Sequence, residues 1–265
     1  MRFAKKSLGQ NFLIDLNIIK KITGLTNIFN KDILEIGPGK GALTNEILKN
    51  KPKSLILIEK DNLLSNELKL KYKDNKKVKI FNKDIFKFNF EKELKKETIV
   101  FGNLPYNISS QILVKLIKFK KWPPKFLSLI LMFQKEMADR IIGKFGTSKY
   151  GRLSILTNYR LNVINKFKIS PNCFFPKPKV DSTILFLKPN NRAKHKIKNI
   201  ENLEKITHIF FSNKRKMINK NFSKLFRESN NVSKQLNIDL SLRPDQLNEN
   251  NFYKITKYYE KIIKI

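Results

Sequence analysis

The order of apolar runs predicts an α/β fold, a doubly wound parallel sheet with helices on both faces, followed by a small all-helical C-terminal domain. Three features of the sequence carry that expectation. Short aliphatic and β-branched runs alternate with segments whose apolar residues fall three and four apart, as on amphipathic helices. The runs are almost continuously apolar, as in strands covered on both faces. Strand-like runs also cease near residue 190, and only polar helical patterns follow.

Taken in order, the runs are "DILEIG" at 32–37, "SLILIEKD" at 54–61, "VKIFNKDI" at 78–85, "TIVFGN" at 98–103 and "FLSLILMF" at 126–133. Between them, "GALTNEILKN", "DNLLSNELKLKYK" and "SSQILVKLIKF" have helical spacing. The helix-like "GRLSILTNYRLN" then leads into "INKFKIS", the proline-rich "PNCFFPKPKVDS" and "TILFLKP", which suits a hairpin at the sheet edge. After "PNNRAKHK" come the helical "ENLEKITHIFFSNKRKMINKNFSKLF" and "ENNFYKITKYYEKIIKI". This break predicts a domain over 1–190 and a helical one over 191–265.

At 265 residues the chain can bury roughly three quarters of its unfolded surface, enough for a substantial core. Its 41% hydrophobic and 29% charged residues exclude a largely disordered chain. A formal net charge of +33 points to a polyanionic partner, nucleic acid first. Lys outnumbers Arg 47 to 8, which codon bias in an AT-rich genome also produces, so charge alone does not separate selection for RNA from genome composition. One cysteine, Cys173, excludes an intramolecular disulfide, and with only His195 and His208 beside it no metal site is expected. The basic start "MRFAKKSLGQNFL" has no apolar signal core, and "FLSLILMF" falls far short of the roughly 18 residues of a spanning helix. A cytoplasmic protein without membrane attachment is expected.

"DILEIGPGKGALT" sets a glycine loop between the first strand and the first helix of the sheet, where backbone and helix N-terminus face a ligand. Gly37, Gly39 and Ala42 satisfy G-x-G-x-x-G/A, and Glu59 lies about 20 residues on, so a nicotinamide dinucleotide is one reading. Glu35, just before the loop, would repel a pyrophosphate but attract an ammonium or sulfonium, and Pro38 has no N–H for a phosphate. S-adenosylmethionine carries both cations. Its methionine part suits the loop, its ribose Glu59 and its adenine amino group Asp84. Acids at the ends of three successive strands are a more specific signal than the loop, although each could also cap a helix or open a turn.

Asn103-Leu104-Pro105-Tyr106 follows the strand "TIVFGN" and contains neither nucleophile nor metal ligand. It emerges at the carboxyl edge of the sheet, where open α/β sheets hold ligands. The side-chain carbonyl of Asn103 and backbone carbonyl of Leu104 can accept both N–H bonds of an exocyclic adenine amine. Pro105 stiffens the turn, and Tyr106 can stack on the base. The same carbonyl dipoles stabilise the positive charge that develops on such a nitrogen when it is alkylated. A base buried in a helix cannot reach such a pocket, so the target must be flipped or lie in a loop.

These motifs together resemble the ribosomal RNA adenine dimethyltransferases, specifically their small-subunit branch. The resemblance covers nearly the whole chain: "SLGQNFL" at 7–13, "LEIGPGKGALT" at 34–44, "IEKD" at 58–61, "KDIF" at 83–86, "GNLPYNIS" at 102–109, "YGRLS" at 150–154, "FFPKPKVDS" at 174–182, "FFSNKRK" at 210–216 and "RPDQL" at 243–247. It implies a Rossmann-like class I methyltransferase sheet and methyl transfer from S-adenosylmethionine to N6 of two adjacent adenosines near the 3′ end of small-subunit (16S) ribosomal RNA. Asn11, Leu13, Gly37, Glu59, Asp84 and Asn103 are implied cofactor contacts, and Phe174 is implied to clamp the target base opposite Tyr106. The helical tail is implied to hold the ribosomal particle through phosphate contacts of Lys214, Arg215 and Lys216. A monomer is expected. Lys214 stands where a second arginine is expected, which weakens bidentate phosphate recognition there. The large-subunit dimethyltransferases share the cofactor and tetrad motifs. A DNA amino-methyltransferase, a dinucleotide-dependent oxidoreductase and a ribosome-assembly factor without turnover are the other readings.

Overall fold

The computed structural model describes residues 10–191 and 195–263. Ser7, Leu8 and Gly9 of the first motif lie outside the described residues. The chain runs β1 (Phe12–Leu13), α1 (Leu16–Thr23), β2 (Asp32–Ile36), α2 (Ala42–Lys49), β3 (Ser54–Glu59), α3 (Asn62–Lys71), β4 (Val78–Asn82), α4 (Phe90–Glu93), β5 (Thr98–Asn103), α5 (Ser109–Ile117), β6 (Phe126–Gln134) and α6 (Lys135–Ile141). There follow α7 (Arg152–Arg160), β7 (Leu161–Ile169), β8 (Phe174–Phe175), β9 (Ser182–Pro189), α8 (Ile200–Phe211), α9 (Asn219–Ser223), α10 (Ser229–Leu236) and α11 (Glu249–Ile262).

Seven strands form one sheet in the order β4-β3-β2-β5-β6-β9-β7. The pairs β3·β4, β2·β3, β2·β5 and β5·β6 are parallel, and β6·β9 is antiparallel. The runs expected to be covered on both faces are so: Ile33, Leu34, Leu55, Leu57, Ile99, Val100 and Phe101 are fully buried. Strand order reverses between β2 and β5, where Ile36 stands opposite Gly102. That reversal opens the crevice in which sheets of this kind hold ligands. β7 closes the edge with a mostly exposed, lysine-bearing strand, a composition that discourages further pairing.

Side chains fix where the helices begin. Asp15 accepts the backbone N–H groups of Asn17 and Ile18 to start α1, and Asp61 accepts those of Leu63 and Leu64 to start α3. α2 starts instead from Gly41 at φ 78° with no side-chain cap, leaving the loop before it free of capping side chains.

A second, two-stranded sheet was not legible in the sequence. β1 pairs antiparallel with β8, Phe12 opposite Phe175 and Leu13 opposite Phe174. Two residues on each strand are too short a run for any periodicity to announce.

Contacts divide the chain into two compact units. One runs to Ala138 and resumes over Asn162–Pro189; the other takes Asp139–Leu161 and the chain from Asn190 onward. The domain boundary expected at residue 190 gives no sign of the earlier segment, which groups with the C-terminal helices although sequence places it in the first domain. Its reason is local to the second unit: α7 packs on α8, Tyr150 donates to the Leu247 carbonyl at 2.9 Å, and Tyr253 donates to that of Ile155 at 3.1 Å. Within this unit Phe210, Phe222 and Phe252 form a fully buried aromatic core. The buried Glu260 carboxylate accepts the Lys198 and Asn199 amides at 2.8 and 2.9 Å, tying the start of α8 to α11.

Candidate active site

A cavity of about 370 Å³ opens at the carboxyl ends of β2, β3 and β5, a size ordinary for a small-molecule site. Its walls include Asn11, Leu13, Glu35, Gly37, Gly39, Glu59, Asp84 and the whole Asn103-Leu104-Pro105-Tyr106 tetrad. The glycine loop, Glu59, Asp84 and the tetrad are neighbours here because parallel strands deliver successive βα loops to one edge.

The glycine loop is not built for phosphate. Gly37 N–H donates to the Ile58 carbonyl at 2.9 Å, Gly39 N–H to Glu59 Oε2 at 3.1 Å and Gly41 N–H to the Pro38 carbonyl at 2.9 Å. Pro38 has no N–H, so neither it nor Gly37, Gly39 or Gly41 offers a free amide to a pyrophosphate. Two carboxylates, Glu35 and Glu59, stand on the same wall. This arrangement argues against the dinucleotide reading and in favour of a cationic ligand.

Glu35 is buried and accepts the Thr44 hydroxyl at 2.6 Å. Desolvation pushes its pKa up to about 8, the Thr44 bond pulling the other way and the Glu59 charge adding to the rise. A buried acid held this high gains from a cationic ligand beside it. Glu59 is also raised, chiefly by burial, while it accepts the Gly39 and Asp61 amides. Asp84 behaves oppositely. Lys60 Nζ at 2.8 Å and the Phe86 amide at 2.9 Å hold its carboxyl below the usual range. Lys60 is well exposed, so its ammonium can leave Asp84 to a ligand amine at little cost.

At the tetrad the side-chain amide of Asn103 donates through Nδ2 to the Asn11 carbonyl at 2.9 Å. That bond fixes which end of the amide is which, and leaves Oδ1 as an acceptor at the cavity wall. Tyr106 exchanges a hydrogen bond with Ser182 at 2.7 Å, and burial raises its phenol pKa. Ser182 is itself fully buried, opposite Gln134 in the β6·β9 register, so the ring is held from the sheet. Gly102 lets the chain pass close to Leu104: a Cβ there would come within 2.7 Å of Leu104 Cδ2 and displace that side chain. Composition and spacing did not single out Ser182 or Phe12, although both lie inside the motifs "FFPKPKVDS" and "SLGQNFL".

Phe174 departs from expectation. It is 2% exposed, belongs to the same core cluster as Leu13 and Ile184, and is not among the cavity-lining residues, so in this conformation it has no face for a base. Alternation along β8 turns Phe174 inward and Phe175, 48% exposed, outward. Lys214, Arg215 and Lys216 are exposed just past α8, as phosphate contacts must be. Lys214 Nζ lies 3.7 Å from Asp245 Oδ2, and the Ile218 amide donates to the Leu242 carbonyl, so "FFSNKRK" and "RPDQL" meet in space. His208 is exposed and contacts Arg152 Nη1 at 3.3 Å, with no part in the cavity. Among the described residues no cluster of histidine, cysteine and acidic side chains could hold a metal, and no helix is long and apolar enough to cross a membrane.

A family model described as "Ribosomal RNA adenine dimethylase" matches residues 1–261. A protein of Pelagibacter ubique named "Ribosomal RNA small subunit methyltransferase A" is 49% identical, the match covering 98% of each chain. One of the same name from Malacoplasma penetrans is 40% identical, over 96% of this chain and 91% of its own. Among solved structures, a dimethyladenosine transferase from Plasmodium falciparum superposes with a TM-score of 0.78 at 30% identity, covering 94% of this chain and 98% of its own.

Proposed function

The chain belongs to the ribosomal RNA adenine dimethylase family, and from that premise we propose that it dimethylates N6 of two adjacent adenosines in the 3′-terminal hairpin loop of small-subunit (16S) ribosomal RNA. Its sheet is the class I methyltransferase fold with a helical C-terminal region. S-adenosylmethionine supplies an electrophilic methyl group when bound. The residues present fit it: a phosphate-poor glycine loop, a buried acid at Glu35 awaiting a cation, Glu59 for ribose hydroxyls and Asp84 for an adenine amine. Asn11, Leu13, Gly37 and Gly39 complete that side of the cavity.

The observation that carries the reading is the bond from Asn103 Nδ2 to the Asn11 carbonyl. It presents Oδ1 as an acceptor, which with the Leu104 carbonyl can take both N–H bonds of a target N6 amine and draw its lone pair out of conjugation. The same two dipoles stabilise the positive charge that builds on N6, so no general base is needed before bond formation. Pro105 stiffens the turn, and Tyr106, steadied by Ser182, offers its ring to the base. Lys214, Arg215 and Lys216 on the second unit bind phosphates of the particle. The protein acts as a monomer in the cytoplasm, where ribosomal subunits are assembled.

The test is incubation with labelled S-adenosylmethionine and, in parallel, small subunits lacking the modification, large subunits and duplex DNA, read by nucleoside mass spectrometry. Dimethyladenosine in small subunits alone is expected, and Asn103→Ala should lower its rate at saturating cofactor by about 10²–10³-fold. Label in large subunits or in DNA moves the substrate, and unchanged turnover in the Asn103 variant removes the mechanism.

A further inference from the structure

We propose that the outer face of the β1·β8 sheet, centred on Phe175, is a stacking platform for the unpaired base next to the one held in the cavity. The inference rests on the RNA methyltransferase reading and adds to it a contact with a neighbouring nucleotide.

In an antiparallel pair, residues directly opposite share a face, so Phe12 and Phe175 lie side by side on the outer one. Phe12 lines the cavity, and its ring sits over the glycine loop, where a Cβ on Gly39 would come within 2.9 Å of Cδ1. Phe175 is not part of the cavity wall and is 48% exposed. The two rings thus lead outward from the cavity: one closes its wall, the next faces solvent beyond it. Phe175 is thus an exposed aromatic ring on a strand held in place by its pairing with β1.

The charge around the platform chooses its occupant. Lys40 Nζ lies 5.1 Å from the centroid of the Phe12 ring, and Lys177 and Lys179, both exposed, follow Phe175 within four residues. Aromatic faces interleaved with cations fit single-stranded nucleic acid, whose bases stack while its phosphates are neutralised. An apolar protein partner has no use for three lysines, so RNA is the occupant favoured.

Stacking beside the cavity strengthens binding of the RNA without taking part in bond formation. Phe175→Ala should therefore raise KM for unmodified small subunits by about 5- to 150-fold, with kcat and cofactor affinity unchanged. Phe175→Trp should match the wild type, and Phe175→Leu should behave like Ala, because an aliphatic side chain has no π-face. Thermal unfolding of each variant should coincide with the wild type, since the residue is exposed. An unchanged KM in Phe175→Ala, full rescue by Leu, or a fall in kcat at constant KM would each overturn the platform. If the wild-type protein methylates no small subunits, the broader reading fails by itself. Anisotropy with labelled single-stranded oligoadenosine then still decides the platform: the same loss in Phe175→Ala supports it, and equal binding refutes it.

Discussion

Glu35 and Asp84 are both acids at a sheet edge, yet their surroundings move them in opposite directions. Asp84 keeps a lysine and a backbone amide against it, and ionises easily. Among the described residues Glu35 has the Thr44 hydroxyl as its hydrogen-bond partner, and burial holds its proton to about pH 8, against 4.5 for an ordinary glutamate. Between those two values the folded chain retains a proton that the unfolded chain has lost, so rising pH drains stability across that window. Glu35→Gln cannot ionise, and its amide oxygen can still accept the Thr44 hydroxyl. Urea unfolding midpoints measured from pH 5 to 9 should fall for the wild type and fall less for Glu35→Gln. Parallel curves would mean that Glu35 is already ionised in the fold. The carboxylate's identity was visible in "DILEIG"; its protonation was not, because that depends on the neighbours that bury it.

The β1·β8 pairing is the element that turns separate motifs into a site. It seats Phe12 over Gly39, brings the Asn11 carbonyl to Asn103 and sorts the two phenylalanines of "FFPKPKVDS" into core and surface. Gly39 is the point at which loop and clasp touch. Its φ of +57° lies in the left-handed region, and a Cβ would press on the Phe12 ring. Gly39→Ala should cost roughly 1–2 kcal/mol from backbone conformation, with a further steric part. Adding Phe12→Ala should recover the steric part alone. Chemical denaturation of the single and double variants measures the two, and a fully neutral Gly39→Ala would show that the loop adjusts. Short antiparallel contacts of this kind escape sequence reading, since two residues carry no period and their partners lie over 160 positions away.

At the scale of the whole molecule, a chain of net charge +33 holds a cavity whose wall carries the acids Glu35, Glu59 and Asp84. The excess lysines suit a polyanion, and the acids of the cavity suit a small cation. Binding to ribosomal particles should weaken steeply with salt, each neutralised phosphate contributing about 0.7–0.9 to the log–log slope. Replacing Lys214, Arg215 and Lys216 by Ala should reduce that slope by roughly 2–3 if all three reach phosphates. An unchanged slope would assign the salt dependence to other lysines.

The sequence by itself determined the parallel part of the sheet, the positions of its strands, the acids at their ends and the tetrad after β5, because these are local patterns along the chain. It also carried the family, through motifs spread over nearly the whole chain. Only the tertiary structure decided that the loop amides are spent internally, that Asn11 orients Asn103, that Phe174 is core while Phe175 is surface, and that Asp139–Leu161 joins the C-terminal helices. Each of those depends on groups far apart in the chain meeting at hydrogen-bond or van der Waals distance. Periodicity reports which face of an element is apolar. Which partner covers that face, and which proton or amide it fixes, is set only when the chain has packed.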